Sequence, residues 1–155
     1  MTKHEEEAKQ LFLKGHACSQ AVLGAYAKEL GLDEQTALKM SLPFGGGIGR
    51  LRETCGAVSG MLMALGLKYG QADASPEHKA QMYARVQELV RRFKEENGSI
   101  ICRELLGLSK PEGSPVPAPR TPEYYKVRPC VEKVGCAARL LEEYLKEQEE
   151  KQADN

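Results

Sequence analysis

The sequence predicts an all-α protein, a single-domain bundle of six or seven helices with a glycine-rich loop and a proline-rich connector. Apolar residues recur at the helical period in almost every patterned segment, and no stretch alternates convincingly at period two. Residues that cap or break helices stand at the ends of those segments. A chain of 155 residues can bury one hydrophobic core without the help of disulfide bonds.

Three helices are expected before the glycine-rich loop. Residues 5–13 form a short amphipathic segment, and residues 17–30 form a second one, with Gly31 at the position of a C-terminal cap. Asp33 is a favourable N-cap for a third helix that runs to about residue 42. Pro43 and the glycines behind it end that helix.

The glycine-rich loop contains four glycines in five positions, namely Gly45, Gly46, Gly47 and Gly49. Such a run permits positive φ angles and the close approach of other groups. Thr54 is then expected to cap a helix over residues 56–68, whose apolar and small side chains predict burial on most sides. Gly56 and Gly60 share one face of this helix, where a neighbouring helix can come close.

The longest helix is expected to follow. Ser75 is its N-cap and Pro76 stands at the first helical position, while Gly98 marks its end. Ser99 is then expected to cap a short helix over residues 100–106.

The last part of the chain combines a connector with one more helix. Residues 109–122 contain five prolines and predict an extended surface connector. Pro129 is expected at the first position of the final helix. The charged tail, residues 146–155, is expected to fray, which leaves a core of about residues 8–145 within a single helical domain of residues 1–155.

The composition limits the classes of function. Lysine plus arginine and aspartate plus glutamate both number 22, so the net charge is zero, which argues against nucleic-acid binding. The N-terminus does not have the pattern of a signal peptide, and the longest apolar stretch is too short for a membrane span. We therefore expect a cytoplasmic protein whose cysteines are free thiols, metal ligands or redox groups and not structural disulfides. A redox partner is expected, and the oligomeric state is left open, homo-oligomers included.

Four of the five cysteines fall in the first turns of different predicted helices, namely Cys18, Cys55, Cys102 and Cys130. The positive end of a helix favours a thiolate, so this pattern predicts lowered pKa values and thiolate chemistry. Cys136 lies six residues after Cys130, about 120° further round a helix, so it should point elsewhere. The alternative is that the cysteines only fill space in the core.

The chain resembles the redox-active protein family C_GCAxxG_C_C. The resemblance rests on ACSQAV at residues 17–22, FGGGIG at residues 44–49 and CGAVSG at residues 55–60, with Cys102 and Cys130 following in order. It covers roughly residues 8–145. It implies redox activity and a site built from four cysteines, and it gives no role to Cys136.

Thiol–disulfide exchange is the first hypothesis for the chemistry. One cysteine attacks as a thiolate and a second resolves the mixed disulfide. Cys55 is the expected attacker because a cap precedes it, a helix follows it, and Arg50 and Arg52 are near it in sequence. The resolving cysteine would be Cys18, Cys102 or Cys130.

Metal binding by the same four cysteines is the second hypothesis. Four thiolates suit zinc, iron or an iron–sulfur cluster, and Cys18, Cys55, Cys102 and Cys130 would be the ligands. A helical scaffold without enzymatic activity is the third hypothesis, and it leaves the glycine-rich loop without a purpose.

The glycine-rich loop has two interpretations. Gly45, Gly46, Gly47 and Gly49 could bind a cofactor or another anion through successive backbone N–H groups. The favoured interpretation is that they let the backbone pass close to the cysteine site. Tyr124 and Tyr125 in the connector would either cover that site or anchor the connector.

Overall fold

A computed structural model describes residues 1–108 and 113–154 of the chain. Eight α-helices lie in these ranges, and the all-α class is confirmed. They are α1 (Lys3–Leu13), α2 (Cys18–Ala27), α3 (Glu34–Ser41), α4 (Gly56–Tyr69), α5 (Pro76–Asn97), α6 (Cys102–Leu105), α7 (Pro122–Val127) and α8 (Cys130–Ala153). The described residues contain no strand, and Thr54 and Ile101 form an isolated antiparallel bridge.

Helices α2 and α4 form the centre of the bundle. Nearly every residue of α2 is buried, and α4 buries most of its apolar side chains, as its composition predicts. Helices α1 and α8 pack against α2, where the Tyr26 hydroxyl donates a hydrogen bond of 2.7 Å to the Ala138 carbonyl. Helix α5 packs on α4 and α8 through a single stripe that includes Leu89 and Phe93.

Two glycines allow α2 and α4 to lie in backbone contact. A Cβ atom added at Gly60 would lie 2.6 Å from the Ser19 carbonyl oxygen, and one added at Gly56 would lie 2.4 Å from the Cys18 sulfur. Both distances are shorter than any van der Waals contact, so only glycine fits at these positions. The predicted close approach of a neighbouring helix is confirmed, and that neighbour is α2.

Several predicted helix ends are confirmed by their capping contacts. The Ser75 hydroxyl accepts a hydrogen bond from the His78 backbone, with Pro76 at the first helical position. The Asp33 carboxylate accepts from the Thr36 backbone, so it caps α3 as expected. Gly98 ends α5 in the left-handed conformation.

Three residues predicted at helix N-termini have a different capping position from the one expected, by one or two residues. The N-cap of α4 is Cys55 rather than Thr54, and that of α6 is Ile101 rather than Ser99. Pro129 is the N-cap of α8 and not its first helical residue. The first two errors have one cause: the backbone pairing of Thr54 with Ile101 holds both segments extended, and a local capping pattern cannot reveal such a long-range contact.

The charged tail does not fray where the sequence predicts. Helix α8 continues to Ala153. The Glu147 carboxylate pairs with the Arg92 guanidinium at 2.8 Å, and Arg85 donates a hydrogen bond of 3.4 Å to Gln148. Because these partners lie on α5, the tail is supported by a neighbouring helix.

The proline-rich connector is partly helical. Residues 109–112 lie outside the described part of the chain, and residues 113–121 carry no regular secondary structure. Helix α7 begins at Pro122, and the Thr121 hydroxyl accepts a hydrogen bond from the Tyr124 backbone as its cap. Residues 113–121 therefore agree with the prediction of an irregular connector, and its extended conformation stays a prediction.

None of the helices in the described ranges is both long and apolar enough to cross a bilayer.

Alanine substitutions in α4 test the backbone contact with α2. We expect Gly60→Ala to lower the free energy of unfolding by about 1–3 kcal/mol, because the new methyl group overpacks the interface. Gly66→Ala is the matched control, since a Cβ there meets nothing within 4 Å. It should raise stability by about 0.5–1 kcal/mol through helix propensity. Urea denaturation followed by circular dichroism measures both, and equal effects of the two variants would contradict the contact.

Candidate functional site

All four cysteines of the predicted site line one cavity of about 400 Å³. The cavity lies where the starts of α2, α4, α6 and α8 meet. Its cationic lining residues are Arg50, Arg52, Arg120, Arg128 and Lys133. Four helix starts that are distant in sequence therefore contribute to the lining of one cavity. That the four cysteines form one functional site stays a prediction.

Cys18 is held against the start of α4. It is the first residue of α2, and its sulfur lies over Gly56, where a Cβ would come within 2.4 Å of it. Cys55 is the residue before Gly56, so the close packing of α2 on α4 brings these two cysteines side by side. Cys18 is half-buried, whereas Cys55 is buried.

Cys55 and Cys102 are joined by the isolated backbone bridge. The Cys55 N–H donates to the Ile100 carbonyl at 2.7 Å, and the Cys102 N–H donates to the Glu53 carbonyl at 2.6 Å. Both cysteines follow directly after the paired residues, Thr54 and Ile101. The bridge therefore holds Cys55 and Cys102 close together, and both line the cavity.

Cys130 is the fourth cysteine that lines the cavity. It is the first residue of α8, and it is half-buried. Tyr124 on α7 and Arg128 also line the cavity beside it. The Tyr125 hydroxyl instead donates a hydrogen bond of 3.4 Å to the Leu13 carbonyl, which ties α7 to the end of α1, whereas the covering of the site by Tyr124 stays a prediction.

The glycine-rich loop has an unusual backbone. Gly46, Gly47 and Gly49 have positive φ angles, as the sequence predicts. Three residues with side chains share this conformation, with φ angles of 64° at Ile48, 68° at Arg50 and 61° at Arg52. Each such residue costs about 1–2 kcal/mol relative to a right-handed conformation, and the cost is highest for β-branched isoleucine.

The loop passes directly against the cysteine site, which confirms the favoured interpretation of its glycines. A Cβ atom at Gly47 would lie 2.5 Å from the Cys102 Cβ, so only glycine permits this approach. Gly45, Gly46 and Gly49 line the cavity. Cofactor or anion binding by the loop stays a prediction.

Burial has the largest effect on the thiols. It raises the pKa of Cys55 far above its usual range, and the neighbouring Cys18 raises it further, although backbone hydrogen bonds from Ala57 and Val58 oppose the shift. Burial and the nearby Cys18 also raise the pKa of Cys130 to about 11. The predicted lowering of the pKa is wrong for these two cysteines because desolvation outweighs the helix dipole.

The Arg52 side chain partly offsets the effect of burial on the pKa of Cys102. Burial raises the pKa of Cys102, while the hydrogen bond and charge of Arg52 lower it, and the net direction is upward. The Arg52 guanidinium donates to the Cys102 sulfur at 3.6 Å and is itself only 7% exposed. The sequence placed Arg52 near Cys55, and in the structure the Arg52 guanidinium contacts the Cys102 sulfur.

Cys136 lies away from the cavity, as its position on the helix predicts. Its sulfur donates to the Glu96 carboxylate at 3.2 Å, and Asn97 donates to the sulfur at 3.4 Å. Both partners are at the end of α5. The resemblance to the family gives Cys136 no role, and its contacts are consistent with that.

The sequence analysis did not identify three residues that line the cavity. Arg120, Arg128 and Lys133 line the cavity, and none was singled out. Lys133 could have been found, because it follows Cys130 by three residues and so shares its helix face. No local signal identifies Arg120, since its position depends on where the connector crosses the bundle.

In residues 1–108 and 113–154, no three histidine, cysteine, aspartate or glutamate side chains are grouped so that they could hold a metal ion. Zinc, iron or cluster binding by Cys18, Cys55, Cys102 and Cys130 stays a prediction.

The fold and the cavity define an all-α protein with four cysteines around one pocket. The family model described as "Putative redox-active protein (C_GCAxxG_C_C)" matches residues 16–144 of the chain. The chain belongs to this family, which supports a redox role in general terms. Comparisons with curated proteins and with solved structures found no match.

The raised pKa of Cys130 predicts a characteristic pH dependence of alkylation. With a pKa of about 11, the thiolate fraction rises about tenfold for each pH unit between 7 and 10. Iodoacetamide labelling of Cys130, quantified by peptide mass spectrometry, should therefore accelerate without a plateau. The same chain in urea is the control, and its rate should level off above a pKa of about 8.5. A plateau below pH 9 in the folded protein would contradict the raised pKa.

Proposed function

We propose that the protein carries out thiol–disulfide exchange with Cys18 as the attacking cysteine and Cys55 as the resolving cysteine. The observation that carries the proposal is that four cysteines from distant parts of the chain line one cavity. Membership in a family described as redox-active supports the same class of chemistry. Packing alone would not require four thiols around an open cavity.

Burial and position support Cys18 as the attacker in place of Cys55. Cys55 is only 7% exposed, and burial strongly raises its pKa, so it is poorly placed to meet a substrate first. Cys18 is half-buried and lines the cavity at the first position of a ten-residue helix. Its charge also contributes to the raised pKa of each of the other three site cysteines, so it lies near all of them.

The contact at Gly56 supports Cys55 as the resolving cysteine. The Cys18 sulfur lies against the residue that directly follows Cys55. Hydrogen bonds from the Ala57 and Val58 backbone to Cys55 favour its thiolate once the proton has left. Cys102 and Cys130 flank this pair in the same cavity.

The reaction balances as follows. The Cys18 thiolate attacks one sulfur of a substrate disulfide, which forms a mixed disulfide and releases the first substrate thiolate. Cys55 loses its proton to water and attacks the Cys18 sulfur, which releases the second thiolate. The protein is oxidised from two thiols to one disulfide, the substrate disulfide is reduced to two thiols, and the two cysteine protons end on the products.

Thiol counting tests the proposal. The protein is purified without oxygen and treated with 2-hydroxyethyl disulfide, and its thiols are titrated in denaturant before and after. We expect the loss of two thiols, their return with dithiothreitol, and a Cys18–Cys55 peptide in the mass spectrum. Cys18→Ser should reduce the oxidation rate at least tenfold, because the thiolate is the nucleophile.

The controls separate this reaction from the other hypotheses. Cys136→Ser is the matched variant, and it should oxidise like the unmodified chain because Cys136 lies outside the cavity. Metal and sulfide are measured on the same anaerobic sample. A stoichiometric metal lost in Cys18→Ser would replace the proposal with a metal site, and a chain that loses no thiols would leave the scaffold hypothesis.

A further inference from the structure

The cavity beside the cysteines is lined by positive charge. Its five cationic residues come from four separate parts of the chain, namely the segment that follows the glycine-rich loop, the connector, the end of α7 and α8: Arg50, Arg52, Arg120, Arg128 and Lys133. No aspartate or glutamate of the described residues lines the cavity. The whole chain has a net charge of zero, so the absence of described acidic residues from the lining is a property of this site and not of the overall composition.

Two of these cations are held by neutral groups. The Arg120 guanidinium donates to the Phe12 and His16 carbonyl oxygens, both at 3.0 Å, and lies over the Phe12 ring. Lys133 donates to the Asn97 side-chain oxygen at 2.9 Å. Among the described residues, no carboxylate forms an ion pair with either side chain. Their charge is therefore held in place without being neutralised by a described acidic group.

The rest of the wall is mostly apolar. Aliphatic, aromatic and proline side chains supply it, including Phe12, Leu42, Leu105, Leu106, Pro115 and Pro117. A volume of about 400 Å³ is that of a small-molecule site and is too small for a folded protein domain. Coulomb attraction is stronger beside such walls than in open water, so the cations should favour a bound anion.

We propose that the oxidising substrate is a low-molecular-weight disulfide that carries carboxylate groups. This inference rests on the proposed function and adds the substrate class. The carboxylates face the side of the cavity with Arg120 and Lys133, and the disulfide meets Cys18, which lines the same cavity. The two cysteine thiols become one disulfide, and the substrate leaves as two carboxylate-bearing thiols.

Three disulfides of similar size but different charge test the substrate class. They are 3,3′-dithiodipropionate, 2-hydroxyethyl disulfide and cystamine, which are anionic, neutral and cationic at pH 7. The rate of thiol loss with each is divided by its rate with the same chain unfolded in urea, which removes differences in intrinsic reactivity. At low salt we expect the normalised rate to be at least tenfold higher for the anion than for the cation. This ratio should shrink at about 0.5 M salt because of screening.

Variants that each remove one positive charge from the cavity test which residues cause the preference for the anionic disulfide. Lys133→Gln and Arg120→Gln should each reduce the ratio of anion to cation rates about threefold or more. Lys28→Gln is the control, because Lys28 is exposed at the far end of α2 and does not line the cavity. Arg120 also ties the connector to α1, so its replacement can loosen the fold, and Lys133→Gln carries the test if that happens.

Thiol loss with the three disulfides distinguishes a wrong substrate class from a wrong reaction. Equal normalised rates for the three disulfides, with two thiols lost in each case, would overturn the anionic substrate and leave the exchange reaction standing. A preference for the anion that survives in both cavity variants would also overturn it. No thiol loss with any of the three would overturn the proposed function and this inference with it.

Discussion

The site depends on the backbone contact between the start of α4 and the start of α2. Gly56 and Gly60 have no side chains, so the two helices lie closer than any other residues would allow. This contact places the Cys18 sulfur against the residue after Cys55, and it buries Cys55 in the centre of the bundle. The burial of Cys55, and with it the raised pKa of Cys55, follows from that approach.

The loop that packs against the third cysteine, Cys102, has a costly backbone conformation. Six residues between Gly46 and Arg52 have positive φ angles, three of them with side chains: Gly46, Gly47, Gly49, Ile48, Arg50 and Arg52. Such strain persists only where the surroundings determine the conformation. Here the Thr54–Ile101 bridge and the packing of Gly47 on Cys102 provide that support. The same conformation turns the Arg52 guanidinium towards the Cys102 sulfur.

Two opposing electrostatic effects act on the pKa values of the thiols. Helix starts and arginine side chains favour the thiolate, whereas burial favours the neutral thiol, and burial is the larger effect at Cys55, Cys102 and Cys130. These raised pKa values keep the three thiols protonated at neutral pH. In the proposed exchange, the half-buried Cys18 attacks and the cations that line the cavity favour an anionic substrate.

The sequence by itself determined the features that local chemistry controls. The helical period, the caps Asp33 and Ser75, the left-handed end at Gly98 and the position of four cysteines near helix starts were all readable from it. Tertiary structure alone decided that Cys55 and not Thr54 caps α4, and that α7 forms inside the connector. It also brought Arg120 to the cavity and raised the pKa values that the helix dipole was expected to lower. A cap depends on neighbours along the chain, whereas desolvation and cavity lining depend on groups that are distant in sequence and meet only after folding.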